Sequence, residues 1–211
     1  MRLVAALSNR CVQFVARQTL RYEVARLAST IAAPAPVASV LLLGVACYSS
    51  GSLAEGLALG ALVAACATVP ATLSIEHMLR RGGLRHHYLW RRSQRMASLA
   101  IACASVFVAT MLVRTLEAPR DLQTVLVTMF FVLALALAAT PVSRISVHMA
   151  AITGASVVLQ LLFGTIGLVL VPIIAIVGWS RLELAEHTMT QVVSGAVLGA
   201  IGASAAYALL G

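Results

Sequence analysis

The chain has 211 residues, of which 61% are hydrophobic and 10% are charged. This composition, with its long apolar runs, excludes a water-soluble globular domain and predicts an integral helical membrane protein. The net charge of +8 predicts anionic lipids as partners of the basic loops, and it excludes nucleic acid because no basic face is interleaved with aromatic residues.

Residues 1–30 form a basic N-terminal arm with five arginines among apolar residues. Its first apolar stretch is too short for a secretory signal peptide. Three arginines fall near one face of a helix and four apolar residues on another, which indicates an amphipathic helix lying on the membrane surface. The arginines are Arg10, Arg17 and Arg21, and the apolar residues are Val12, Ala16, Leu20 and Leu27. The alternative is a solvated arm that only sets the topology. The five arginines are Arg2, Arg10, Arg17, Arg21 and Arg26.

Residues 31–211 are predicted to form a single transmembrane domain, so the expected fold is an all-α polytopic bundle of about seven spans. Gly56 and Gly60 have the G-x-x-x-G spacing that favours close approach of a neighbouring helix, and Gly195 and Gly199 have it in the last span. The charge-free stretches and the turn residues between them place the spans at 32–49, 53–75, 96–113, 122–142, 146–162, 165–181 and 189–210.

The loop from 76 to 95 is rich in arginine and histidine. It holds six arginines and the N-terminal arm five, whereas the segments on the opposite face hold two. This bias predicts that the arm and the loop lie in the cytoplasm and that the loop is a positive-inside anchor. A functional interpretation uses only the last turn of the loop, where Arg91, Arg92 and Arg95 could grip phosphate oxygens.

No metal and no other cofactor is predicted. His86 and His87 are adjacent but lack a third ligand. The cysteines lie far apart with no C-x-x-C pair, and three of them lie inside apolar spans, so they indicate small apolar fillers. They are Cys11, Cys47, Cys66 and Cys103.

The segment between His148 and Arg181 holds 32 uncharged residues, and its length decides how the residues at its two ends meet. As a single helix it would span about 48 Å, which exceeds a membrane core of about 30 Å. Two full crossings need about 40 residues. We therefore predict a hairpin that turns at Phe163-Gly164 and brings both ends to one face. The alternative, one tilted helix, would place His148 and His187 on opposite faces.

A charged, histidine-bearing motif lies at each end of this segment. The downstream motif is Ser180-Arg181, five residues, His187, three residues and Gln191. It resembles the third signature of the type 2 phosphatidic acid phosphatase superfamily, Ser-Arg-x5-His-x3-Asp, and differs from it at the last position. This motif is the most specific part of a resemblance that covers about residues 91–211.

The other two signatures are less complete. Ser146-Val147-His148 keeps only the Ser and the His of the second signature, Pro-Ser-Gly-His. The first signature, Lys-x6-Arg-Pro, is represented best by Arg95, which is followed by methionine and has Tyr88 in the place of the lysine.

The resemblance implies a lipid-phosphate phosphatase that forms a phosphohistidine and needs no metal, with residues 31–211 as the phosphatase-like domain. It assigns His187 as the nucleophile, His148 as the proton donor and Gln191 as the residue that orients His187. The family has a negatively charged Asp at the position of Gln191, so Glu183, four residues before His187, is a candidate for the missing charge. Arg181, Arg144, Ser146 and Arg95 are assigned to phosphate binding.

The expected function is hydrolysis of an isoprenoid or glycerolipid phosphate or diphosphate at the cytoplasmic face of the cell membrane. By analogy, cell-envelope lipid metabolism is its expected setting. The alternative is a non-catalytic protein of the same fold that binds or scaffolds lipid phosphates. Gln191 and the eroded first signature favour this alternative, whereas the two histidines and Arg181 favour the enzyme. The sequence specifies no oligomeric state.

Overall fold

The computed structural model describes residues 19–81 and 92–210, and these residues form helices and short connections without a strand. This confirms the predicted all-α class. A 3₁₀ segment, Gly164–Leu170, lies between the sixth and seventh helices. The helices are α1 (Thr19–Ile31), α2 (Pro34–Ser49), α3 (Leu53–Arg81), α4 (Arg92–Thr115), α5 (Arg120–Ala139), α6 (Val147–Phe163), α7 (Val171–Glu183) and α8 (Met189–Leu210).

Within the described ranges, five helical stretches are long and apolar enough to cross a membrane, and a sixth is added if the bent pair α1–α2 counts as one span. The protein is therefore a multi-pass membrane protein. The predicted number of seven requires that the two arms of the stretch Val147–Glu183 be counted separately, and it stays a prediction. The other four stretches are Leu53–Arg80, Arg92–Thr115, Arg120–Ala139 and Met189–Leu210.

The bend between α1 and α2 has a local cause in Pro34. The axes of the two helices differ by 46°. A proline disfavours helical geometry in the residue before it, and Ala33 is accordingly extended, with φ −64° and ψ 152°. Proline lacks an N–H group that the first turn of a helix would leave unpaired, so α2 can begin at this residue.

The predicted hairpin between the two motifs is confirmed. The chain turns at Gly164, whose φ of +68° lies in the region that favours glycine. Across the turn, Ser156 Oγ of α6 donates to the carbonyl oxygen of Gly167 over 2.7 Å. Further along, a Cβ at Gly178 would lie 3.7 Å from the side chain of Met149. The start of α6 and the end of α7 therefore lie at the same end of the bundle.

Glycines allow the close helix contacts that hold this end of the bundle together. A Cβ at Gly195 would lie 2.4 Å from the carbonyl oxygen of Ser146, and one at Gly199 would lie 2.3 Å from that of Ala150. Both distances are shorter than a side chain permits, so α8 packs backbone to backbone on α6. Gly56 makes the same kind of contact between α3 and α2, at 2.6 Å from the Cα atom of Cys47. The predicted close packing is confirmed at these positions.

The described part of the N-terminal arm is helical and contacts the transmembrane helices. Ala25 of α1 is fully buried. Arg21 Nη2 donates to Glu183 Oε2 of α7 over 2.9 Å, and Ser29 lies against Arg181. The first 18 residues of the arm lie outside the described residues. Helix α1 is therefore attached to the end of the bundle where the two motifs meet.

Candidate functional site

A cavity of about 1420 Å³ lies where α4, α6 and α8 begin and α7 ends. Four arginines and one carboxylate are the charged groups among its lining residues, so the cavity favours anions. The first turn of α6, which carries Val147 and His148, also borders the cavity, and a helix start favours anions. Six of the seven predicted site residues line it: Arg95, Arg144, His148, Arg181, His187 and Gln191.

His187 lies in the connection between α7 and α8 and is held by Gln191 and Arg181. Its Nδ1 atom lies 3.1 Å from Gln191 Oε1, and its backbone N–H donates to the carbonyl oxygen of Arg181 over 3.3 Å. Because an amide oxygen only accepts hydrogen bonds, this contact assigns the proton to Nδ1 and the lone pair to Nε2. The imidazole is thus oriented as a nucleophile requires.

The environment of His187 keeps its imidazole neutral. Burial lowers the pKa of His187 to about 4, and the positive charges of Arg181 and, to a smaller extent, Arg95 contribute to this decrease. Hydrogen bonds to Gln191 and to the backbone of Arg144 oppose the decrease. At neutral pH the ring therefore carries no charge and retains a lone pair.

Gln191 also caps the N-terminus of α8. Thr188 N–H donates to Gln191 Oε1 over 3.3 Å, and Gln191 N–H donates to Thr188 Oγ1 over 3.4 Å. This reciprocal pair is a capping box, in which a Thr and a Gln three residues later satisfy two of the unpaired N–H groups of a helix start. The same amide oxygen thus fixes both the helix and the ring of His187.

Arg181 is the most enclosed of the three arginines predicted to bind phosphate, with 7% of the residue exposed. Its Nη1 donates to Ser29 Oγ of α1 over 2.5 Å. Its Nη2 forms an ion pair with Glu186 Oε2, within the connection that also carries His187. The guanidinium is therefore bound from two sides by groups of the protein itself.

Arg95, Arg144 and His148 line the same cavity. Arg95 Nη2 donates to the carbonyl oxygen of Ile145 over 3.0 Å, which connects α4 to the segment before α6. Arg144 is exposed in that segment, and His148 is partly buried in the first turn of α6. Two arginines and a histidine thus line the cavity together with His187.

Ser146 is a correction to the predicted site. It is fully buried and does not line the cavity, because α8 packs against it. Its N–H donates to the carbonyl oxygen of Gln191 over 3.1 Å. Its hydroxyl has no hydrogen-bond partner in the part of the chain that the structure describes. Contrary to the prediction, Ser146 joins α6 to α8 and lies outside the phosphate site.

The hypothesis that Glu183 supplies charge to His187 is also wrong. The carboxylate of Glu183 accepts from Arg21 of α1 instead. Arg92 is exposed and does not line the cavity. Tyr88 and Arg91 lie outside the described residues, as do His86 and His87, so the first signature is represented in the structure by Arg95.

Three contributions to the site were missed in the sequence. The Thr188-x-x-Gln191 pattern of a capping box could have been recognised directly. Glu186 directly precedes His187 and could have been considered as a partner of Arg181. Ser29 gave no signal, because its role depends on α1 lying beside the end of α7.

The cavity continues from its charged end into the interior of the bundle, where side chains from α2, α4, α5 and α6 line it. Apart from the hydroxyl-bearing Thr128, this inner part is lined mainly by apolar residues, including Leu41, Val106, Val132, Ala155 and Val158. A cavity that is cationic at one end and apolar inside fits an amphiphilic anion better than a small hydrophilic one.

The fold and the cavity define a class: a multi-pass helical membrane protein with an arginine- and histidine-lined site at one end of its bundle. No known protein family, curated protein or solved structure matches the chain. The assignment of an activity therefore depends on the residues and the geometry of the site.

Proposed function

We propose that this chain is an integral-membrane phosphatase that hydrolyses a lipid phosphate through a phosphohistidine on His187. The observation that carries the proposal is the imidazole of His187, whose Nδ1 is directed at Gln191, close to the buried guanidinium of Arg181. A phosphate ester needs its charge neutralised, a nucleophile in line with the leaving oxygen and a proton for that oxygen. The residues that line the cavity can supply all three.

In the first half of the proposed reaction, Nε2 of His187 forms a bond to phosphorus while the bond between phosphorus and the lipid oxygen breaks. The guanidinium groups of Arg181, Arg144 and Arg95 neutralise the non-bridging oxygens. His148, in its protonated form, gives a proton to the leaving lipid oxygen. The proton on Nδ1 of His187 stays directed at Gln191, whose amide oxygen stabilises the positive charge that the ring acquires.

In the second half, water attacks the phosphohistidine. His148, now neutral, accepts a proton from the water while the new oxygen–phosphorus bond forms and the nitrogen–phosphorus bond breaks. Inorganic phosphate leaves, and both histidines return to their starting protonation states. The atoms and charges balance without a further reactant.

The apolar interior of the cavity supports a lipid as the substrate, because a hydrocarbon chain attached to the phosphate would be removed from water there. An isoprenoid or glycerolipid phosphate or diphosphate has this form. The arginine bias of the loops supports a cytoplasmic position of the site in the cell membrane. Turnover of polyprenyl-linked phosphates in the cell envelope is a process in which such an enzyme would act.

A non-catalytic lipid-phosphate binding protein is the second candidate, and two observations favour it. The capping box gives Gln191 a structural role that requires no catalytic one, and its amide brings no charge to His187. The guanidinium of Arg181 already binds Glu186. A protein of this kind would hold a lipid phosphate in the cavity without hydrolysing it.

Phosphate release from a panel of lipid phosphates, measured on the purified protein in EDTA, tests the proposal. The panel contains a polyprenyl phosphate, a polyprenyl diphosphate and phosphatidic acid. Wild type should release phosphate, and His187→Ala should lower kcat at least about 10³-fold, as expected for loss of a nucleophile. His77→Ala is the matched control, because His77 is exposed on α3 and does not line the cavity.

Two outcomes would contradict the enzyme. One is a His187→Ala variant that turns over lipid phosphates as fast as wild type. The other is a wild-type protein that binds lipid phosphates and hydrolyses none of them, which would favour the non-catalytic candidate. Retention of a cooperative thermal transition in His187→Ala would show that any loss of activity is not caused by unfolding.

A further inference from the structure

The ion pair between Arg181 and Glu186 lies inside the proposed phosphate site. The side chain of Arg181 is 8% exposed and that of Glu186 is 22% exposed, and both residues line the cavity. A carboxylate and a phosphate present similar pairs of oxygens to a guanidinium and bind it with the same charge-assisted hydrogen bonds. Glu186 therefore binds Nη2 of Arg181, one of the nitrogens that a phosphate ligand would use.

We infer that Glu186 is an internal competitor that occupies the anion site of Arg181 and sets the affinity for the phosphate group of the ligand. The inference rests on the proposed function in one respect, since it takes Arg181 as a phosphate ligand. Arg181 Nη1 is bound to Ser29 and Nε is buried in the protein, so a ligand that reaches the guanidinium would share Nη2, which binds Glu186. Binding of a phosphate monoester then requires that the carboxylate leave Nη2.

The position of Glu186 permits this exchange. Glu186 lies in the short connection between α7 and α8. The residue before it, Ala185, has a φ of +51°. Because the carboxylate belongs to a connection and not to a helix, its side chain can rotate without moving α7 or α8. A phosphate monoester is largely dianionic at neutral pH, so it can displace a single carboxylate charge from the arginine.

With an internal competitor, an anion binds only the fraction of protein in which the site is open. The apparent dissociation constant is the intrinsic one divided by that fraction. Removing the charge of Glu186 should therefore tighten binding without adding a contact. A charged hydrogen bond of this type corresponds to about a tenfold or larger change in affinity. The probe is methyl phosphate, and its dissociation constant is measured by titration calorimetry on the purified protein.

Glu186→Gln should bind methyl phosphate about tenfold more tightly than wild type. Glu186→Asp, with a shorter reach to Arg181, should show a smaller gain in the same direction. Glu183→Gln is the matched control, because it removes a carboxylate of α7 that pairs with Arg21 of α1, so the affinity of this variant should stay within about twofold of wild type. Thermal unfolding of each variant verifies that it is folded.

The outcomes separate this inference from the proposed activity. If Glu186→Gln and Glu186→Asp both bind methyl phosphate no more tightly than wild type, the inference is wrong even if wild type hydrolyses lipid phosphates. If Glu186→Gln binds more tightly and no lipid phosphate is hydrolysed, the inference holds and the phosphatase proposal fails. If neither wild type nor Glu186→Gln binds methyl phosphate, Arg181 is not a phosphate ligand and the inference is overturned.

Discussion

At the scale of single residues, the proposed chemistry depends on His187 as the nucleophile and on Gln191 as the residue that orients it. The amide oxygen of Gln191 fixes the Nδ1 proton of the ring but gives it no negative charge. Burial and Arg181 therefore lower the pKa of His187 to about 4 without an opposing carboxylate. In the proposed mechanism the imidazole of His187 stays neutral across the physiological pH range, and kcat/KM should fall on the acid side only near pH 4.

The variant Gln191→Asp should raise the pKa of His187 by about 1 to 2 pH units, because a nearby carboxylate favours the imidazolium. Since His187 must be neutral to attack, the acid limb of kcat/KM should move upward in pH by the same amount. The rate on the plateau should be preserved or increased, because the charge also stabilises the imidazolium that forms during attack. The pH dependence of kcat/KM for phosphate release is the measurement.

Thr188→Ala is the control for that experiment. It removes the hydroxyl half of the capping box while leaving Gln191 in contact with His187. It should lower the free energy of unfolding by about 1 kcal/mol and leave the acid limb in place. An unchanged pH profile in Gln191→Asp would show that residue 191 does not orient the nucleophile.

At the scale of elements, the register between α6 and α8 positions the two motifs. The backbone contacts of Gly195 and Gly199 set this register, and they place the start of α6, with His148, beside the start of α8. A side chain at either glycine would have to displace the backbone of α6. Packing of small residues at this interface thus determines the geometry of the cavity.

Gly199→Ala should therefore destabilise the protein by about 1 to 3 kcal/mol, as overpacking does elsewhere. Its Cβ would lie 2.9 Å from the Cα atom of Ala150, so the helices must separate and phosphate release should fall as well. Gly44→Ala is the matched control in α2, because a Cβ at that position has nothing within 4 Å. Thermal unfolding in the same detergent compares the two, and equal stability would refute the role of the register.

The whole molecule has a polar asymmetry between its two ends. The cavity, its arginines and α1 lie at one end, whereas Glu117 lies in a connection at the other end and Glu55, Arg120 and Asp121 lie in the first turns of the helices there. Arginine-rich segments are retained in the cytoplasm. This asymmetry favours a cytoplasmic site with the C-terminus on the outer side of the membrane.

Reporter fusions test that orientation. A reporter inserted between residues 80 and 85 should be active as a cytoplasmic fusion, and one fused after Gly211 should be active as an extracytoplasmic one. The reverse pattern would place the cavity outside the cytoplasm and change the expected substrate to lipid carriers that are dephosphorylated there. Fusion at Glu117, on the opposite end of the bundle, is the internal control and should agree with Gly211.

The sequence by itself determined the class of the protein and the hairpin that joins the two motifs. Both depend on local quantities: the hydropathy of each segment and the number of residues between charges, compared with the thickness of a membrane. The convergence of His148, Arg181 and His187 on one face follows from the hairpin. The close packing at Gly195 and Gly199 was likewise readable, because small residues at this spacing permit backbone contact.

Only the tertiary structure decided which side chains meet within the site. Arg181 binds Ser29, which is 152 residues away in the chain, and Glu183 binds Arg21 at a separation of 162 residues. Ser146 is covered by α8 and lies outside the cavity, although its position in the motif had predicted otherwise. Such contacts depend on differences of a few ångströms in how α1 and α8 pack on the hairpin, and hydropathy and residue spacing do not contain that information.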